Sequence, residues 1–93
     1  MKYKYKNSVE AIQFIDTAER LEEISDFVGD EIKINYSQSP VELEVSSYFT
    51  NSKGEKLFLK STKFQESDWI VKRAKYQFTK YTNKDFLNTF EQI

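Results

Sequence analysis

Only one stretch of this chain carries apolar residues at helical spacing for any length. Ala18, Leu21, Ile24, Phe27 and Val28 recur on a period near 3.6, with Glu22, Glu23 and Asp26 on the opposite side. After Gly29 the pattern switches to a period of two. Ile32, Ile34 and Tyr36 alternate with Glu31, Lys33 and Asn35. Val41, Leu43 and Val45 alternate with Glu42, Glu44 and Ser46. Leu57 and Leu59 resume the alternation beyond a polar loop at Thr50–Gly54. Trp69–Val71 and Tyr76–Phe78 read as two further short strands, and Ser61–Gln65 as a loop or irregular edge. The pattern predicts an α+β fold over a single domain, residues 1–93. A small, strongly bent antiparallel sheet or open barrel would pack on one amphipathic helix near the N-terminus, with a short C-terminal helix closing the end.

Local signals set the boundaries. Asp16, three residues before Glu19, predicts the first helix cap, and Gly29 its left-handed end. Thr82–Asp85 predicts the start of the second helix, with Phe86, Leu87 and Phe90 docking by one face. Residues 2–14 read as one strand, with Ile12 and Phe14 on one face and Tyr3, Tyr5 and Val9 on the other. Lys2, Lys4 and Lys6 would guard its edge. Two glycines and one proline leave most turns to Asn, Ser, Asp and Lys.

The reactive inventory is short. There is no histidine and no cysteine, which removes the usual general base at neutral pH, the commonest metal ligand and the thiolate nucleophile. No serine lies in a nucleophile elbow, and two glycines cannot make a nucleotide-binding fingerprint. The neighbouring carboxylates Glu22/Glu23, Asp30/Glu31 and Glu42/Glu44 fall on expected solvent faces, where their pKa values would not separate. A binding protein without cofactor or metal is expected, not an enzyme. No apolar run is long enough to span a bilayer, and no secretory leader is expected.

The net charge of −1 conceals three blocks. Residues 1–8 carry +3, residues 9–44 carry −8 and residues 45–93 carry +4. Such blocks either neutralise one another within the fold or form faces that steer a charged partner or support self-association into a homo-oligomer. Two basic segments interleave cations with aromatics, one through Tyr3 and Tyr5, the other through Lys72, Arg73, Lys75, Tyr76, Lys80 and Tyr81. Aromatic faces stack on bases while ammonium and guanidinium groups meet phosphates, so these eight residues are the candidate ligand-binding set. Alternation along a strand would instead send rings and cations to opposite faces. A pI near 5.5 argues against nucleic acid as the main ligand.

Both ends of the chain carry a familiar pattern. The start runs Glu10-Ala11-Ile12-Gln13-Phe14, then a helix ending Phe27-Val28-Gly29. The last third contains Asp68-Trp69-Ile70-Val71-Lys72, then Phe78, Asp85-Phe86, Phe90 and Glu91. This resembles a widespread set of small phage and prophage proteins. Relatives carry glycine where Ser67 and Arg73 stand, and another near Tyr76, so altered turns are expected here. Pro follows the Lys run in relatives, where this chain has Asn7 and Ser8. The resemblance implies a protein of the bacterial host's cytoplasm that counters antiviral defence. It would sequester a nucleotide second messenger; the alternative is inhibition of a host defence protein such as a nuclease or effector. Exposed Tyr48, Phe49, Phe58 or Phe64 would favour protein inhibition. A structural role in virion assembly is the further alternative.

Overall fold

A computed structural model describes residues 2–4, 8–37 and 39–92, with side chains described for 9–37 and 39–90. The elements in chain order are β1 (Lys2–Lys4), β2 (Ser8–Gln13), α1 (Ala18–Val28), β3 (Ile32–Asn35), β4 (Glu42–Thr50), β5 (Lys56–Gln65), β6 (Trp69–Ala74), β7 (Gln77–Tyr81), α2 (Asn83–Thr89) and β8 (Glu91–Gln92). The fold is α+β. Its strands divide between two antiparallel sheets, ordered β7-β6-β2-β1-β8 and β3-β4-β5, and neither sheet closes on itself.

The central strand β6 explains the division. Trp69, Ile70 and Val71 are all buried, and consecutive strand residues point to opposite faces. Ile70 enters a core built with Ile12, Phe14, Ile24, Val28, Leu43, Val45, Phe64 and Phe78. This core joins α1 and the smaller sheet to one face of the larger. Trp69 and Val71 enter a second core with Ala11, Phe86 and Phe90 beneath α2. There the Trp69 and Phe86 rings stack with centroids 4.0 Å apart and planes 5° apart, and the indole N–H donates to Asn83 Oδ1 at 2.9 Å.

Several boundaries differ from the sequence reading. Residues 2–14 are not one strand: β1 turns back onto β2, pairing Lys2 with Glu10, Tyr3 with Val9 and Lys4 with Ser8. The α1 cap is Thr17, whose Oγ1 accepts from Arg20 N at 3.2 Å, one residue beyond Asp16. A short hydroxyl at that position reaches the exposed amide of the first turn. Gly29 ends the helix at φ 74° and Thr82 caps α2, both as the sequence indicates. Ser61–Gln65 belongs to β5 instead of a loop, and its Phe64 is fully buried opposite Leu43.

Leu57 and Leu59 do not alternate into the core. The β4–β5 register shifts, so that Ser47 pairs with Lys60 while Tyr48 pairs with Phe58. Leu59 is the extra residue of a bulge, and every residue from Lys56 to Ser61 is exposed. The distal half of this hairpin therefore projects past the core. Phe64→Ala should lower unfolding free energy by about 3–5 kcal/mol. Phe58→Ala, made in the projecting arm, should change it by about 0.5 kcal/mol or less. Urea denaturation of both variants distinguishes the two environments.

Candidate aromatic and basic site at the hairpin junction

The register of β6 and β7 separates most of the sequence-derived candidates. Lys72 pairs with Phe78 and Ile70 with Lys80, which puts Lys72 and Lys80 on the face of the larger core. Lys72 Nζ lies 5.8 Å from the Phe27 ring centroid. Trp69 pairs with Tyr81, on the opposite face. Arg73 is skipped between the pairs Lys72–Phe78 and Ala74–Gln77, so it bulges out of the ladder. Its guanidinium lies over the Tyr81 ring and donates to the Tyr81 hydroxyl. Tyr81 is further engaged edge-on by Phe90 and Phe86, at 5.2 and 6.5 Å between centroids. The ring sits at the margin of the second core instead of standing free for stacking. The Tyr3 side chain and all of Tyr5 lie outside the described residues.

Lys75 and Tyr76 form the β6–β7 turn and meet residues that the sequence did not single out as a set. Tyr76 O accepts the amide of Tyr48 at 2.7 Å, beyond the point where β3 stops pairing with β4. Lys56 reaches across from β5. Its Nζ lies 4.5 Å from the Tyr48 ring centroid, 4.8 Å from that of Tyr76 and 2.7 Å from Asp30 Oδ2. The negative faces of two phenol rings and one carboxylate thus surround a single ammonium. Phe58 meets Tyr48 edge to face at 5.9 Å, and Lys75 Nζ lies 5.3 Å from the Tyr76 centroid. Asp30, Tyr48, Lys56, Phe58, Lys75 and Tyr76 therefore compose one surface cluster, drawn from the helix end, both hairpin strands and the turn.

The charges in this cluster stabilise each other. The hydrogen bond from Lys56, then that from the Glu31 amide, holds the Asp30 carboxyl below its ordinary value. The same bond to Asp30 holds the Lys56 ammonium above its ordinary value. Asp30 contributes stability above its ordinary pKa of 3.8 and loses it as pH falls through the depressed folded value. Lys56 contributes below its ordinary 10.5 and loses it as pH rises through the raised folded value. The stability difference between wild type and Lys56→Met should therefore be flat through neutral pH and shrink at both extremes. Denaturation midpoints measured against pH test this.

Backbone geometry marks the same turn. Tyr76 has φ 64° and Ser67 has φ 82°, both left-handed without being glycine. Both keep a conformation that glycine accepts freely. A side chain there costs about 1–2 kcal/mol. Ser67 is held by its amide to Phe14 O at 2.9 Å and by Gln13 Nε2 on its carbonyl at 3.0 Å. At Tyr76 the ring covers the helix end, with Cε1 3.8 Å from where a Cβ on Gly29 would stand. Ser67→Gly should raise stability by about 0.5–1 kcal/mol. Tyr76→Gly relieves similar strain but should gain less, because it removes a ring that packs. The two urea midpoints compared with wild type decide this.

Among the described residues no group of three or more Asp or Glu is placed to hold a metal ion, and no helix is long and apolar enough to cross a membrane. No family model matches the chain, and no curated protein and no solved structure matches it.

Proposed function

We propose that this is a non-enzymatic binding protein, of phage or prophage origin and acting in the host cytoplasm, that counters antiviral defence by gripping a host defence protein with the β4–β5 hairpin. One observation carries the reading. Four large apolar side chains stand exposed in that arm: Phe58 at 60 %, Leu59 at 50 %, Phe49 at 41 % and Leu57 at 40 %. Of Tyr48, Phe49, Phe58 and Phe64, only Phe64 is buried, and it serves the core. Phe49 pairs with Leu57 and Tyr48 with Phe58, so strand parity puts Phe49 and Leu57 on one face of the arm and Phe58 on the other, and a partner that clasps the arm gains contact energy by excluding water from both.

The surrounding charge describes the partner. Residues 51–63 contain Lys53, Lys56, Lys60 and Lys63 against Glu55. Lys56 and Lys63 are paired with Asp30 and Glu42, which leaves Lys53 and Lys60 at the rim. Such a rim suits a target surface whose apolar patch has an acidic border. Rim charges of this kind speed association more than they tighten the complex.

A second reading, sequestration of a nucleotide-type signal, is favoured by the meeting of Lys75, Lys56, Tyr48 and Tyr76. Rings and ammonium groups suit base and phosphate. Asp30 offsets the Lys56 charge, and Lys72, Lys80, Arg73 and Tyr81 lie too dispersed to complete a phosphate site, so this reading ranks second.

A photo-crosslinking residue at position 58 identifies the partner in a defence-bearing host, and calorimetry with the purified partner then measures affinity. Phe58→Ser should weaken binding at least about 30-fold, as loss of a buried aromatic anchor does, whereas Arg73→Ala should leave it unchanged. Equal affinity of Phe58→Ser and wild type would refute the assignment. Nucleotide released from the purified chain on denaturation would favour the second reading.

A further inference from the structure

The projecting half of the β4–β5 hairpin begins at a register fault. Leu59 is unpaired between Lys60 and Phe58, and β3 pairs with β4 no further along than Val45. Such a fault lets a strand pair bend and twist locally. Beyond it, Tyr48 N to Tyr76 O is a backbone bond between the arm and the body of the protein. The side chain of Lys56 bridges the same gap, leaving the arm at its far end and reaching Asp30 at the end of α1. Of the ion pairs among the described residues, Arg20–Glu23 lies within α1 and Lys63–Glu42 within the smaller sheet. Lys56–Asp30 links the arm to the helix end.

We propose that Lys56, Asp30, Tyr48 and Tyr76 form a cation latch that fixes the angle of the distal hairpin against the body and so sets which way its apolar side chains face. Tyr48 belongs to the arm, Tyr76 and Asp30 to the body, and the ammonium lies between all three. Directional contacts from both sides make the seat specific for a charged side chain at position 56. The strained backbone of Tyr76 has an evident use here, since its ring serves as both the helix-end cover and one wall of the seat. A soluble ammonium ligand does not displace Lys56 readily, because a tethered group competes at a high effective concentration. The seat is therefore a conformational device and not an open ligand site. Locking the arm before contact would lower the ordering cost of docking, and that use, though not the latch itself, rests on the binding reading above.

Amide hydrogen exchange of the full chain tests the latch without any partner. In Lys56→Met and in Asp30→Asn, the amides of Tyr48 and Leu57 should exchange about tenfold or more faster than in wild type, as in opening of a local unit. The amides of Leu43, Val45, Ile70 and Val71 should be unchanged, and Lys56→Arg should retain most of the protection at Tyr48. Wild-type exchange at Tyr48 and Leu57 in Lys56→Met would overturn the proposal, as would an equal rise in the core amides. Phe49→Ser, on the face of the arm opposite Tyr48, separates the two claims. It should abolish partner binding while leaving Tyr48 exchange as in wild type. Failure of the first result counts against the docking reading, and failure of the second against the latch.

Discussion

Everything in this fold hangs on one strand that is buried on both sides. The run Trp69-Ile70-Val71 has no solvent face, so β6 must sit between two layers. Ile70 requires the layer made by α1 and the smaller sheet, and Trp69 and Val71 require α2. With β2 on one side and β7 on the other, β6 also supplies the turn that carries Lys75 and Tyr76 to the edge of β4. The position of the candidate site is thus a consequence of core packing. The turn is pinned where two sheets meet, and a chain that needs a left-handed residue there has used tyrosine.

The projecting hairpin is the counterpart of that packing. Nine core residues satisfy the larger core, and β4 and β5 run on past it. Apolar residues beyond the core do not lower the free energy of the isolated chain, and four of them in one arm enlarge the surface open to aggregation. The arm is managed by devices that limit strand-to-strand pairing, namely lysines along β5 and a bulge at Leu59. Those devices block backbone pairing and leave side chains available. This is the arrangement expected of a surface that recognises a partner through side-chain contact.

Much of this architecture was legible in the sequence. Helical spacing through Leu21, Ile24, Phe27 and Val28, the stop at Gly29 and the cap at Thr82 located both helices. The alternation of Leu43 and Val45 with acids located β4. What escaped was non-local. The fold-back of Lys2–Lys4 onto Ser8–Glu10 and the pairing of β1 with β8 depend on partners that no short window contains. Leu57 and Leu59 obey strand alternation in sequence, and only the bulge shows that neither reaches the core. The basic and aromatic residues near the C-terminus illustrate the same limit. Their types suggested one site, but strand parity and the Arg73 bulge scattered them over two faces, leaving Lys75 and Tyr76 to join Tyr48, Lys56 and Phe58. The signal for that set was the register of Tyr48 against Phe58, which requires the bulge to be known.

The proposed working surface is the exposed arm, not the basic stretch carried by β6, its turn and β7. A substitution scan across the whole chain, read by phage plating on hosts that carry defence systems, tests it most directly. Polar replacements at Phe49, Leu57, Phe58 and Leu59 should abolish protection by a chain that still folds, while replacements at Arg73, Lys80 and Tyr81 should be tolerated wherever the fold survives. Tolerance at the four hairpin positions together with loss at Lys72, Arg73, Lys75 and Lys80 would contradict it.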